Sequence, residues 1–164
     1  MSYYRFRPFN EEHFSKIQGL LENNQHITEE LRQRNIESFC DEDAKLVKET
    51  FNNFEKDLEK TGAAKCLHLL APDFFPLWDT EIAKAYKLGK GSEAERYCLF
   101  MEITRDQVKS LGRDKAEGRN LLKALDEYNY CEFTLPMLEK KREKRKSERE
   151  AKALAKAMKN ETKE

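Results

Sequence analysis

Three side chains within 15 positions carry most of the chemistry this chain offers: Lys65, His68 and Asp79. All lie in the stretch GAAKCLHLLAPDFFPLWDTEIAKAY, Gly62–Tyr86, which also holds the one tryptophan and two of the four prolines. Lys65 sits among Ala63, Ala64, Cys66 and Leu67. A lysine partly withdrawn from water loses basicity and can act as a nucleophile, whereas a lysine lying over a helix end stays an ordinary surface cation. His68 is three residues further on, one turn along the same helical face; it is either a structural histidine bonded to a nearby carbonyl or a catalyst. Asp79 follows the apolar run Phe-Phe-Pro-Leu-Trp at a helix start. There an acid satisfies free backbone donors as an N-cap, and it could equally face a cationic transition state.

The elements that must position these groups follow from proline and from apolar spacing. Pro72 and Pro76 rule out one continuous helix, because proline lacks the amide donor and crowds the preceding turn. The stretch therefore reads as a short buried helix over Ala63–Leu70, a tight apolar loop, and a second helix opening at Asp79. Upstream, Ala44, Val47, Phe51, Phe54 and Leu58 step by 3, 4, 3 and 4, one face of a helix that starts near Asp41. Gly62 is placed to end that helix in a left-handed conformation. Leu67, Leu70, Phe75, Leu77 and Trp78 are expected to pack as core on this face.

Nearer the N-terminus, Tyr3–Phe9 (YYRFRPF) reads as an extended arm that packs on the body or stacks on bases. Asn10 offers a cap for a helix with Phe14, Ile17 and Leu21 as its stripe, ended by Asn23 and Asn24. Thr28 opens a short second helix, with Leu31 and either Ile36 or Phe39 as core candidates. Beyond the central stretch, the turn KLGKG brings Lys87 and Lys90 to where a phosphate could meet them, without the spacing of a Walker loop. Ser92 and Glu95 form a capping box for a helix carrying Tyr97, Phe100, Met101, Thr104, Val108 and Leu111. A charged loop over Gly112–Gly118 leads to a helix with Leu121, Leu122, Leu125 and Tyr128 that ends near Asn129, and Tyr130–Leu135 returns apolar groups to the body. The expectation is an all-α fold: one compact domain of six or seven helices over residues 1–138, with a charged tail, helical or disordered, over 139–164.

Charge supports that division. Of 164 residues 38% are charged and the net charge is zero. From Glu139 onward, however, basic residues outnumber acidic ones 11 to 6, while the 138 residues before carry 20 against 25. Lys141, Arg142, Lys144, Arg145 and Lys146 make the tail a candidate contact for nucleic acid, with an acidic protein partner as the other class. The four cysteines stand about thirty residues apart, wrong for a zinc or iron–sulfur site, and read as buried free thiols. The start MSYYRFRPFN has no apolar signal core, and no run approaches the roughly 20 apolar residues of a membrane span. We expect a cytoplasmic protein with no metal, cofactor or membrane partner.

The segment Phe75-Pro76-Leu77-Trp78-Asp79, followed by Ile82 and Ala83-Lys84-Ala85, resembles the end of the helix-hairpin-helix motif in DNA glycosylases of the endonuclease III superfamily. The resemblance covers about 25 residues. It implies a helical fold in which Asp79 is the catalytic acid, and Lys65, just after Gly62, lies near the lysine that forms a Schiff base in bifunctional members. Gly62 would then belong to the phosphate-gripping hairpin, reduced here to Lys60-Thr61-Gly62. Trp78, Phe74 or Tyr86 would stack on a flipped base. A longer phrase, Lys-x-Leu-His-x-x-x-Pro-x-x-Phe-x-x-Trp-Asp-x-x-Ile, is similar to a group of uncharacterised prokaryotic proteins of this size. Two functions follow: a non-catalytic helical module that binds nucleic acid or a protein, and a glycosylase-type enzyme using Asp79. A cleft beside Asp79 separates them.

Overall fold

The computed structural model describes residues 11–112 and 120–161, and every regular element among them is helical. In chain order these are α1 (Glu11–Arg32), two 3₁₀ turns (Ile36–Ser38 and Asp41–Asp43), α2 (Ala44–Leu70), α3 (Thr80–Ala85), α4 (Glu93–Leu111), α5 (Leu121–Asn129), a π turn (Tyr130–Thr134) and α6 (Leu135–Glu161). Asn10, the arm Tyr3–Phe9 and residues 113–119 lie outside the described part.

The first correction to the sequence reading is α1, which runs unbroken through the Asn23–Thr28 region where a stop and a restart are expected. Asn24 Nδ2 donates to the Leu20 carbonyl at 2.8 Å and Thr28 Oγ1 donates to the Asn24 carbonyl at 3.1 Å. Both side chains thus satisfy themselves on the helix's own carbonyls instead of competing with it. The buried line is Leu20, Asn24, Thr28 and Leu31. Phe14, expected in the stripe, is 63% exposed.

The second correction concerns where the long helix breaks. Gly62 does not end it. The left-handed residue is Glu59, with φ 57° and ψ 166°, and α2 resumes at once, so the expected Ala63–Leu70 helix is the second arm of a kinked α2. Such a conformation costs a non-glycine residue about 1–3 kcal/mol. Gly62 answers a different demand: a Cβ there would lie 3.0 Å from Leu58 Cβ, one turn earlier across the kink. The break is bridged from α4, where the Glu93 carboxylate accepts from Lys60 at 3.1 Å and from Arg96 at 3.0 Å. The Arg96 guanidinium also lies 5.8 Å from the Trp78 ring centroid.

The core lies between the two arms of α2, the Pro72–Trp78 loop and α4. Phe51 and Tyr97 stack at 4.5 Å between centroids, and Trp78 meets Phe51, Tyr97 and Phe100 at 5.5–6.2 Å. The Tyr97 hydroxyl donates to the Pro76 carbonyl at 2.8 Å, and burial pushes its phenol well above the usual range. Leu67, Phe75 and Trp78 are buried as expected, whereas Leu70 and Leu77 are only half-buried. Leu111 and Tyr128, expected on inward faces, are exposed.

Tyr130–Leu135 is part of one continuous helical path from α5 into α6. Pro136 has no amide to donate and crowds the carbonyl four residues back. The preceding turn widens to accommodate it, with the Leu135 amide donating to the Tyr130 carbonyl, five residues back. From Glu139 to Ala153 every residue of α6 is exposed.

Candidate functional site

Asp79 is held from both sides. Its Oδ1 accepts from the amides of Glu81 at 2.8 Å and Ile82 at 2.9 Å, the two donors an N-cap serves. Its Oδ2 accepts from the Thr134 hydroxyl at 2.8 Å. One carboxylate therefore caps α3 and ties it to the π turn, with both oxygens engaged.

The two other catalytic candidates diverge. His68 is buried, and its Nδ1 donates to the Phe75 carbonyl at 2.8 Å, fixing the loop on the second arm of α2. Lys65, one turn earlier, is exposed and has no apolar enclosure; Ala63 and Ala64 beside it in sequence face inward, and it faces out. His68 thus belongs to the core and Lys65 to the solvent, and the two do not share a site.

The aromatic candidates are enclosed as well. Trp78 is 2% exposed, with Phe51, Tyr97 and Phe100 about it and its Nε1 unpartnered. Phe74 is buried against Phe39 and Phe75. Neither ring offers a face to a base in this arrangement. Tyr86 is half-buried between Phe100 and Phe133, its hydroxyl donating to Asn129 Oδ1 at 2.8 Å and accepting from Gln107 Nε2 at 3.2 Å. Gly62 is helical and packed on Leu58, so it forms no hairpin. Lys87 and Lys90 lie in the loop before α4, where Lys87, Gly89 and Gly91 take positive φ.

Of the four cysteines only Cys98 is buried, and burial pushes its thiol up to about 11. Cys66 is half-buried, and Cys40 and Cys131 are exposed, contrary to the expectation that all four would be inside. Among the described residues no group of His, Cys, Asp and Glu is arranged to hold a metal, and no helix is long and apolar enough to cross a membrane.

A long run of exposed charge lies on α6. At 100° per residue, Lys141, Arg142, Arg145, Arg149 and Lys152 fall within an arc of about 100°, while Glu139, Glu143 and Glu150 cluster on the opposite side. Glu148 stands just outside one edge of the arc, 4.0 Å from Lys144. The basic line continues the helix's body-facing positions: Thr134, bonded to Asp79, lies seven residues before Lys141, whose Nζ donates to Glu81 Oε1 at 2.8 Å. Lys84 reaches the same carboxylate, at 3.3 and 3.4 Å. The Lys141 bond, and then Lys84, hold the Glu81 carboxyl below its usual range. No carboxylate pairs with Arg142, Arg145, Arg149 or Lys152 among the described residues.

The sequence candidates Lys144 and Lys146 fall off this line. Lys144 faces Glu148, and Lys146 shares the acidic side. Arg149 and Lys152 escape the sequence reading, although the recurring three- and four-residue steps from Lys141 onward mark them. Thr134 and Glu81 carry no such signal, because their roles arise from contacts across 55 and 60 positions of sequence, and Lys84 joins them only through Glu81, three residues before it.

No family model, no curated protein and no solved structure matches this chain.

Proposed function

We propose that this protein is a non-catalytic helical module that binds nucleic acid through the phosphate backbone, using the basic line of α6. The observation that carries the reading is the sorting of charge on an exposed helix: Lys141, Arg142, Arg145, Arg149 and Lys152 on one side, Glu139, Glu143 and Glu150 on the other. Beyond Arg142 successive members of the line rise about 4–6 Å, and the line spans about 16 Å from Lys141 to Lys152. A row of cations along an exposed helix, unpaired beyond Lys141 among the described residues, suits a run of phosphates, whose bound counterions it would release. Such a contact fixes position and carries little sequence information, since it reads phosphates and not base edges.

The non-catalytic part of the reading is supported at Asp79, where both oxygens are engaged in holding α3 and the π turn. The covering of Trp78 and Phe74 and the outward position of Lys65 point the same way.

The test is fluorescence anisotropy with a labelled duplex and a labelled single strand across a salt series. The unpaired cations Arg142, Arg145, Arg149 and Lys152 predict a log–log slope of about −3 to −4 on duplex, since each phosphate neutralised contributes about −0.9. Arg145→Ala with Arg149→Ala should reduce that slope by about 2. No binding to either probe at low salt overturns the nucleic-acid reading and leaves an acidic protein as the partner class. Release of bases from damaged duplexes by wild type, lost in Asp79→Asn, would replace the module by the glycosylase-type enzyme.

A further inference from the structure

Two lysines from different helices converge on one carboxylate at the body end of the α6 line. Lys141 Nζ lies 2.8 Å from Glu81 Oε1, and Lys84 Nζ lies 3.4 Å from Oε1 and 3.3 Å from Oε2. The amines remain reachable from solvent, with side chains 53% and 63% exposed, whereas the Glu81 side chain is 12% exposed. Asp79 fixes α3 against the π turn that leads into α6, through its cap on α3 and its bond to Thr134. The lysines are therefore aimed at a shared anionic point by the fold itself.

We infer that Lys84 and Lys141 form the first phosphate subsite of the basic line, and that the Glu81 carboxylate occupies it while no nucleic acid is bound. This rests on the proposed nucleic-acid reading. A carboxylate and a phosphate present the same acceptor chemistry to an ammonium group, and Arg145, one turn beyond Lys141, extends the row about 6 Å further. A phosphate arriving at the lysines competes with Glu81 and meets its negative charge at close range. In the free chain the line is thus shortened at its body end by an internal counter-ion. Glu81 weakens binding, and Lys84, on a different helix from the rest of the line, belongs to the interface.

Glu81→Gln keeps the size and removes the charge. In the same duplex titration it should bind severalfold more tightly at low salt. Its salt slope should steepen by about 1 to 2, the value for one or two additional phosphate contacts. Adding Lys84→Ala and Lys141→Ala to Glu81→Gln should return the slope to that of wild type. Thermal midpoints of all variants, followed by circular dichroism, control for folding. If wild type binds and its slope falls with Arg145→Ala and Arg149→Ala while Glu81→Gln leaves slope and affinity unchanged, the subsite is overturned and the nucleic-acid reading stands. Weaker binding by Glu81→Gln also overturns it, assigning Glu81 to the orientation of α6. If neither wild type nor Glu81→Gln binds, both readings fall together.

Discussion

The Pro72–Ala85 region and the α6 rod make opposite use of reactive side chains. In the first, acid, imidazole and indole are enclosed or engaged: Asp79 caps α3 and holds Thr134, His68 reaches in to hold the Phe75 carbonyl, and Trp78 fills the space between Phe51 and Phe100. In the second, the lysines and arginines stand in solvent, and beyond Lys141 the basic line has no internal partner among the described residues. Residue type marks what a site can do, while the partners already present decide whether it remains free to do it. Leaving a buried polar group unpaired costs about 1–3 kcal/mol, and the Asp79 and His68 groups take partners inside the protein, while the Trp78 Nε1 goes without one. A cation on an exposed rod is under no such constraint.

The most direct challenge to this contrast is to cut into both regions and measure stability. Trp78→Ala should destabilise by about 3–5 kcal/mol in chemical denaturation, the range for losing a large enclosed aromatic. A loss below about 1 kcal/mol would place Trp78 outside the core and reopen a role for its ring.

The next largest effect is expected where charge is held inside the body. Arg34 donates to both oxygens of Asp43 at 2.7 and 2.6 Å, and this bond brings the Asp43 carboxyl down to about 2. Because the folded pKa is depressed, the associated stability is present above the unfolded value of 3.8 and is lost as pH falls toward 2. The shift corresponds to about 2 kcal/mol. Denaturation of wild type and Asp43→Asn from about pH 5 to about pH 2 should show a loss in wild type that the variant lacks; parallel curves would remove Asp43 as the cause.

Asp79 refines the picture, because its size and its charge can be removed separately. Asp79→Ala should cost about 1–2 kcal/mol, through loss of the cap and of the Thr134 bond. Asp79→Asn should cost less than about 1 kcal/mol, since asparagine caps about as well. A larger loss with Asn would mean that the charge, rather than the hydrogen bonds, holds α3 in place.

The smallest stability effect belongs to the rod. Arg145→Ala with Arg149→Ala should change stability by less than about 0.5 kcal/mol, as for surface substitutions away from packing or caps, while reducing duplex binding. A large drop in thermal midpoint would show that the basic line serves the fold.

Much of the fold is legible in the sequence where the signal is local. The Val47–Phe51–Phe54 spacing, the Ser92–Glu95 capping box and the Asp79 helix start all appear in the structure. The misses have local causes of another kind. Asn24 and Thr28 look like helix stops but bond backward onto their own helix. Gly62 looks like a left-handed terminus, yet the strain falls on Glu59, three residues before it, beside the Lys60–Glu93–Arg96 bridge that pins the kink from α4.

Spacing, caps and composition act within a few residues, and they suffice for the helical class, most helix starts and the surplus of positive charge after Glu139. Which reactive groups stay free is a matter of tertiary structure. Whether Asp79 faces a cleft or Thr134, and whether Lys141 faces solvent or Glu81, depends on contacts spanning 55 and 60 positions. No local pattern encodes such distances; they are fixed only when burial of the aromatic core brings α3, α4 and the π turn together.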